Sequence, residues 1–66
     1  MKLSYFEDTD TLYIVFRDSS IVETRDLDEA TLIELDADGR ICAITLEHAS
    51  ERTDVQRLTV EGLAAA

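Results

Sequence analysis

Asp36-Ala37-Asp38-Gly39, with Arg40 and then Ile41-Cys42-Ala43-Ile44-Thr45-Leu46 behind it, is the stretch that decides the fold. Gly39 takes positive φ at no steric cost, and Asp36 suits the first position of a type I turn. That pairing predicts a tight hairpin with a glycine bulge. Upstream of the turn, Thr31-Leu32-Ile33-Glu34-Leu35 alternates with Ile33 and Leu35 facing in. Two alternating runs on either side of a turn signal are strands, because side chains on a strand repeat every two residues.

Working outward, Leu3 and Tyr5 share one face of a first strand, and Leu12, Ile14 and Phe16 one face of a second. Tyr13 and Val15 fall on the other face, so Leu12–Phe16 is apolar on both sides and is expected to be central or covered twice. Glu7-Asp8-Thr9-Asp10 suits a hairpin loop between the two. Tyr5 and Tyr13 flank that loop and are expected to pack in the core or across the strands, the alternative being a place at an interface. Asp18-Ser19-Ser20 marks the next turn, before a weaker strand from Ile21 to about Leu27.

After Leu46 the pattern changes. His48-Ala49-Ser50-Glu51-Arg52 reads as a short helical turn, and Asp54–Arg57 as a second single turn with Asp54 as N-cap. Leu58-Thr59-Val60-Glu61 alternates and predicts a last strand before Gly62. The rival reading joins 50–61 into one helix, against which Thr53, Val55, Thr59 and Val60 count as β-branched. The expected fold is therefore mainly β, α+β at most. It is a small antiparallel β-meander of four to six strands with a short C-terminal helical segment. One domain spans 1–66, with its core over about 3–61 and a tail at 62–66 that ends in Ala64-Ala65-Ala66.

Sixty-six residues carry fifteen Asp and Glu against six Lys and Arg, a net charge of −9. Hydrophobic residues make up 45%, too many for a disordered acidic tail. Nucleic acid is disfavoured, because its affinity comes largely from cations neutralising phosphates. Anionic membrane surfaces are disfavoured for the same reason, and no apolar run approaches the roughly 20 residues that span a bilayer. The N-terminus lacks the apolar centre of a signal peptide, and the lone Cys42 forms no internal disulfide, so a cytoplasmic protein is expected. Such a charge favours steered encounter with a basic protein partner.

A chain this short buries only about 60% of the surface its unfolded form exposes. With no disulfide, the remaining supports are a metal or a partner chain. A homodimer that buries the two-sided second strand is expected, with Leu12, Ile14, Phe16, Ile33, Ile44 and Leu46 among the best-buried residues.

Tyr5-x4-Asp10-x-Leu12-Tyr13-Ile14, then a Glu-containing strand, then Asp36-x-Asp38-Gly39-Arg40-Ile41-x2-Ile44-x-Leu46-x2-Ala49-Ser50 resembles the small bacterial proteins catalogued as domain-of-unknown-function family 2283. The resemblance covers about residues 3 to 52. It implies a compact β-meander with a short helical C-terminal piece, and no activity, cofactor or catalytic residue. In size and acidity such proteins are similar to the neutralising halves of two-gene toxin systems, which is an analogy of composition.

Three chemical readings follow from the residues. The window 21–40 holds seven carboxylates (Glu23, Asp26, Asp28, Glu29, Glu34, Asp36, Asp38) against Arg25 and Arg40. Within it Glu23, Asp26, Asp28 and Glu29 are the candidate partner-binding face of a non-enzymatic, antitoxin-like interaction module. The alternative uses the 26–38 carboxylates to bind a small ligand or divalent metal, since Asp36-x-Asp38-Gly39 resembles part of a calcium loop. Its third ligand and bidentate Glu are missing, so Asp36 and Asp38 read first as turn formers. The third reading is an enzyme assembled across a dimer interface with His48 as base. Within one chain Cys42 lies about 20 Å from His48 along a strand, too far for a dyad. Cys42 reads as a small core residue. No catalytic residue, cofactor or metal ligand is assigned.

Overall fold

In a computed structural model, which describes residues 1–63, the chain forms one five-stranded sheet and a single turn of helix. The strands are β1 (Lys2–Phe6), β2 (Thr11–Val15), β3 (Glu23–Asp28), β4 (Thr31–Leu35) and β5 (Ile41–Glu47), followed by α1 (Ala49–Arg52). Every neighbouring pair is antiparallel, and the order across the sheet is β1-β2-β5-β4-β3. The expected mainly-β, antiparallel fold with a short C-terminal helix is what forms.

The expected meander, in which successive strands lie side by side, is corrected by the strand order. β3, β4 and β5 follow one another through tight turns, and β2 lies beside β5 rather than beside β3. This is a Greek-key arrangement read from its C-terminal end. The connection 16–22 crosses one end of the sheet past β5 and β4 to make it possible. Phe16 and Arg17 both donate their N–H to the Cys42 carbonyl, at 2.7 and 3.3 Å, and Val22 N–H donates to the Leu35 carbonyl at 2.9 Å. Because this connection takes its own hydrogen bonds, the third strand starts at Glu23, and Ile21 and Val22 belong to the crossing.

The Asp36–Gly39 turn forms as its residues require. Gly39 has φ 77, and its N–H donates to the Asp36 carbonyl at 3.0 Å. Just beyond it the β4–β5 register slips by one residue, from Glu34 opposite Ala43 to Leu35 opposite Ile41. A second irregularity on β3 leaves Leu27 without a partner between Asp26 and Asp28.

Residues opposite one another across a sheet point to the same side. Leu3, Ile14, Ile44 and Ile33 therefore make one row, and Tyr5, Leu12, Leu46 and Thr31 the next. On the reverse side Ser4, Tyr13, Thr45 and Leu32 form a mixed polar row, with Tyr13 donating its hydroxyl to Glu34 Oε1 at 3.1 Å. Tyr5 and Tyr13 consequently lie on opposite faces and do not pair. The register puts Leu12 opposite Tyr5, and the next residue along a strand always turns away.

The core of the single chain is small. Ile33, Leu35, Cys42, Ala43 and Ala49 are its buried hydrophobic residues, and the largest side chain that is fully enclosed is that of Cys42, 1% exposed. Of the six residues expected to be best buried, Ile33 is buried, while Leu12, Ile14, Ile44 and Leu46 are half-buried. Phe16 is exposed, because β2 ends at Val15 and Phe16 starts the crossing.

The C-terminal part follows the reading of two separate turns as far as residue 57, against the single helix over 50–61, and departs from it only beyond. The helix ends at Arg52, and Asp54–Arg57 is a separate turn closed by Arg57 N–H donating to the Asp54 carbonyl at 3.2 Å. Residues 58–61 form no strand, and Leu58 and Val60 are exposed. Alternation is there, but both edges of the sheet end in β1 and β3, and 58–61 joins neither. Of the expected tail, Ala64–Ala66 lie outside the described residues.

Candidate functional site

The acidic residues singled out by the sequence sit on and beside β3, an edge strand on which every residue is exposed. An edge strand leaves one row of backbone N–H and C=O groups without a strand partner, and charge along it discourages indiscriminate pairing. The four carboxylates do not form a single face. Glu23 accepts from Arg25, with Nη2 2.7 Å from Oε2, so its charge is offset on its own strand. Asp26 lies opposite Leu32 and, together with Glu29, lines a shallow depression that also involves Ala30, Thr45 and Glu47. Asp28 turns back into the β3–β4 turn, where its Oδ1 accepts the Ala30 N–H at 2.8 Å. That backbone bond first, and the Thr31 hydroxyl second, hold the Asp28 carboxyl below the ordinary aspartate value. Asp26 and Glu29 are therefore the least committed of the four.

The metal reading meets a geometric obstacle. Asp28 and Asp36 flank opposite ends of β4, five residues long, so roughly 14 Å of strand separates the two groups of carboxylates. Asp36 is itself fully engaged. Its Oδ1 accepts the N–H groups of Asp38 at 2.9 Å and Arg40 at 3.0 Å, and its Oδ2 accepts from Arg40 Nε at 3.1 Å. These bonds, the Arg40 N–H foremost, lower its pKa. Asp38 takes Arg40 Nη2 at 2.8 Å. The turn carboxylates hold the hairpin and Arg40, as turn formers do. Among the described residues, no three His, Cys, Asp or Glu side chains gather in an arrangement that would hold a metal ion.

His48 adopts a left-handed conformation, φ 56, immediately before α1, and its Nδ1 lies 3.5 Å from Glu51 Oε2 on the open surface. Its neighbour Ser50 faces elsewhere. Cys42 is enclosed, with its Sγ 3.6 Å from the Arg40 carbonyl.

A second carboxylate as densely bonded as that of Asp36 belongs to Asp10, which sequence reasoning placed only in the β1–β2 loop. Asp10, at φ 52, sits at the end of the β1–β2 loop. Asp tolerates that left-handed region better than most residues. Its Oδ1 accepts the Tyr5 hydroxyl at 2.6 Å and the Ser50 N–H at 3.0 Å, while its Oδ2 accepts the Ser50 hydroxyl at 2.7 Å. Its own carbonyl accepts the Ala49 N–H at 2.9 Å. The Tyr5 hydroxyl chiefly, then that of Ser50, hold the Asp10 carboxyl below the ordinary value, and the Tyr5 phenol is raised in return. On the other side of α1, Arg52 Nη1 donates to the Ala30 carbonyl at 2.7 Å and the Glu47 carbonyl at 3.2 Å, and Nη2 donates to the Thr31 hydroxyl. The helical turn is thus tied to β1–β2 by Asp10 and to β3–β4 by Arg52. The sequence signal for Asp10 is an Asp immediately before an apolar strand; for Ser50 it is only the next turn's composition.

Tyr5 and Ser50 both commit their hydroxyl protons to the Asp10 carboxylate. The depression at Asp26 and Glu29 encloses about 110 Å³, below the roughly 300 Å³ at which small-molecule pockets begin. No helix among the described residues is long and apolar enough to cross a membrane.

The family model described as "Protein of unknown function (DUF2283)" matches residues 2–50. The matched segment runs from the start of β1 to Ser50, the residue that closes the Asp10 cluster. Neither the curated proteins nor the solved structures yield a significant match to the chain.

Proposed function

The chain belongs to this family of unknown function, and from its surface we propose that it is a non-enzymatic protein-interaction module that receives a basic partner along the β3 edge. One observation carries the reading. β3 is exposed along its whole length, offers an unpaired edge, and has Glu23, Asp26 and Glu29 beside it in a chain of net charge −9. An extended segment of a partner adds to such an edge through backbone hydrogen bonds, while flanking charge selects a cationic one. Masking a basic protein in this way is the antitoxin-like role.

The test is a triple charge reversal, Glu23→Lys, Asp26→Lys and Glu29→Lys, with Asp28 left in place because it secures the β3–β4 turn. Wild-type and reversed proteins serve as baits in the source cell's lysate, with circular dichroism as the check on folding. A basic protein held by the wild type, weakened by added salt and lost at least about tenfold by the reversed bait supports the role. Equal capture by both baits rejects it.

A further inference from the structure

The two rows that begin at Leu3 and Tyr5 make one side of β1, β2, β5 and β4 free of charge, in a chain of which 32% is charged. Charge enters these rows only on β3, as Arg25 opposite Ile33 and Asp28 opposite Thr31. A sheet with one apolar face needs a second layer over it; this chain buries Thr31, Ile33, Leu35 and Cys42 on the β4–β5 part of the face and leaves the β1–β2 part open. Its extents are 38 × 33 × 17 Å and its radius of gyration is 13.0 Å, against about 11 Å for a compact chain of this length. Leu3 is 42% exposed, Tyr5 39% and Phe16 38%, with Leu12, Ile14 and Leu46 half-buried between them. The chain's accessible surface is 5213 Å², whereas a compact monomer of 7.4 kDa exposes about 4,200 Å². The excess of roughly 1,000 Å², to which this face and the exposed 58–63 segment both contribute, is of the order of the ~800 Å² that each partner buries in a stable interface.

We propose that the open β1–β2 part of this uncharged face is covered by the same part of a second copy, so that the two sheets form a sandwich with β1 and β2 at its centre. The face selects its own kind. The rows themselves carry no charge for a basic partner to pair with, and the Asp10 carboxylate and Arg52 guanidinium at their α1 end are already bonded to Tyr5 and Thr31. An identical face, by contrast, matches this one apolar row for apolar row. Two sheets packed in this way stand about 10 Å apart, with inner side chains interdigitating. A two-fold axis brings each patch onto its own copy, as closed dimers require. The carboxylates of β3 and of the loops remain at the rim and outside, where two chains of like charge can approach without burying any of them. The interface lies apart from the outer edge of β3 and stands whether or not a basic partner docks there.

Sedimentation of the purified full chain tests this directly. Twice the 7.4 kDa chain mass is expected at micromolar concentration; a folded single chain overturns the proposal. Leu3→Lys places a charge on the uncharged face and is expected to weaken the dimer by roughly 100-fold. Ser4→Lys, one residue along and on the reverse face, is expected to leave it unchanged, and equal effects overturn the face assignment. Where Leu3→Lys fails to fold, the wild-type melting temperature is the readout. A midpoint that rises with protein concentration, with Ser4→Lys still dimeric, supports the interface; a constant midpoint rejects it. Salt separates this contact from the acidic edge. The dimer tightens as salt screens repulsion between two anionic chains, while capture of a basic partner weakens.

Discussion

Two aspartates organise opposite ends of the sheet by different means. Asp36 finds all its partners within four residues, in the turn that it begins. Asp10 reaches back five residues to Tyr5 and forward forty to Ser50. Asp36 closes one hairpin; Asp10 attaches the helical turn to a different hairpin from the one that precedes it. Equal chemistry, with carboxylates accepting N–H and O–H donors, therefore gives local order in one place and tertiary order in the other. The lesson is that a lowered carboxylate pKa in this molecule marks structural attachment at both ends.

The sharpest break of the comparison is Asp36→Ala. It strips two backbone N–H groups and Arg40 of their acceptor at a site only 5% exposed, and a melting temperature lower by roughly 10–15 °C is expected, read by calorimetry at fixed protein concentration. Asp10→Ala comes next. Its donors are open to water and can be re-solvated, so a fall of roughly 5–10 °C is expected. Its distinguishing mark is local: amide exchange should quicken at Ala49–Thr53 and leave the 36–40 turn unchanged. A variant that melts both ends together would show that the two aspartates are one cooperative unit.

The mildest perturbation is pH. Asp10, Asp28 and Asp36 all have folded pKa values below their ordinary ones. A depressed carboxylate contributes stability that is present above the unfolded value, near 4, and lost as pH falls through the folded one. The melting temperature is therefore expected to be flat from about pH 5 to 7 and to decline from about pH 4 downward. Asp10→Asn should make that decline shallower without shifting the plateau's upper end. An acid limb unchanged in Asp10→Asn would assign it to the other two carboxylates.

The same contrast explains what could be read from the sequence. The 36–40 hairpin was legible because its cause is contained in its own five residues, and the five strand segments were legible because alternation is local. The placement of β2 beside β5 was not. It depends on Phe16 and Arg17 bonding to Cys42, and on Asp10 meeting Ser50, partners that no short window contains. Tyr5 and Tyr13 misled because flanking a loop says nothing of parity across the register. Leu58–Glu61 alternates like a strand, yet a strand needs a neighbour, and neither edge receives it. At the candidate site, the acidity of β3 was plain from composition. Its division into engaged residues (Glu23 with Arg25, Asp28 with the turn) and freer ones (Asp26, Glu29) depends on where the fold places Ala30 and Arg25.

The crossing 16–22 has a consequence for how the sheet holds together. It joins a hairpin of residues 2–15 to a three-stranded unit of residues 23–47, whose shared seam is the β2–β5 ladder. Seven residues of tether keep the two halves of that seam at an effective concentration in the millimolar range, as short flexible linkers do. Were the chain severed there, every hydrogen bond of β2 to β5 would survive in kind, but the seam would become a bimolecular equilibrium. The ladder's persistence in a dilute solution thus belongs as much to the segment that crosses the sheet's end as to the strands that form it.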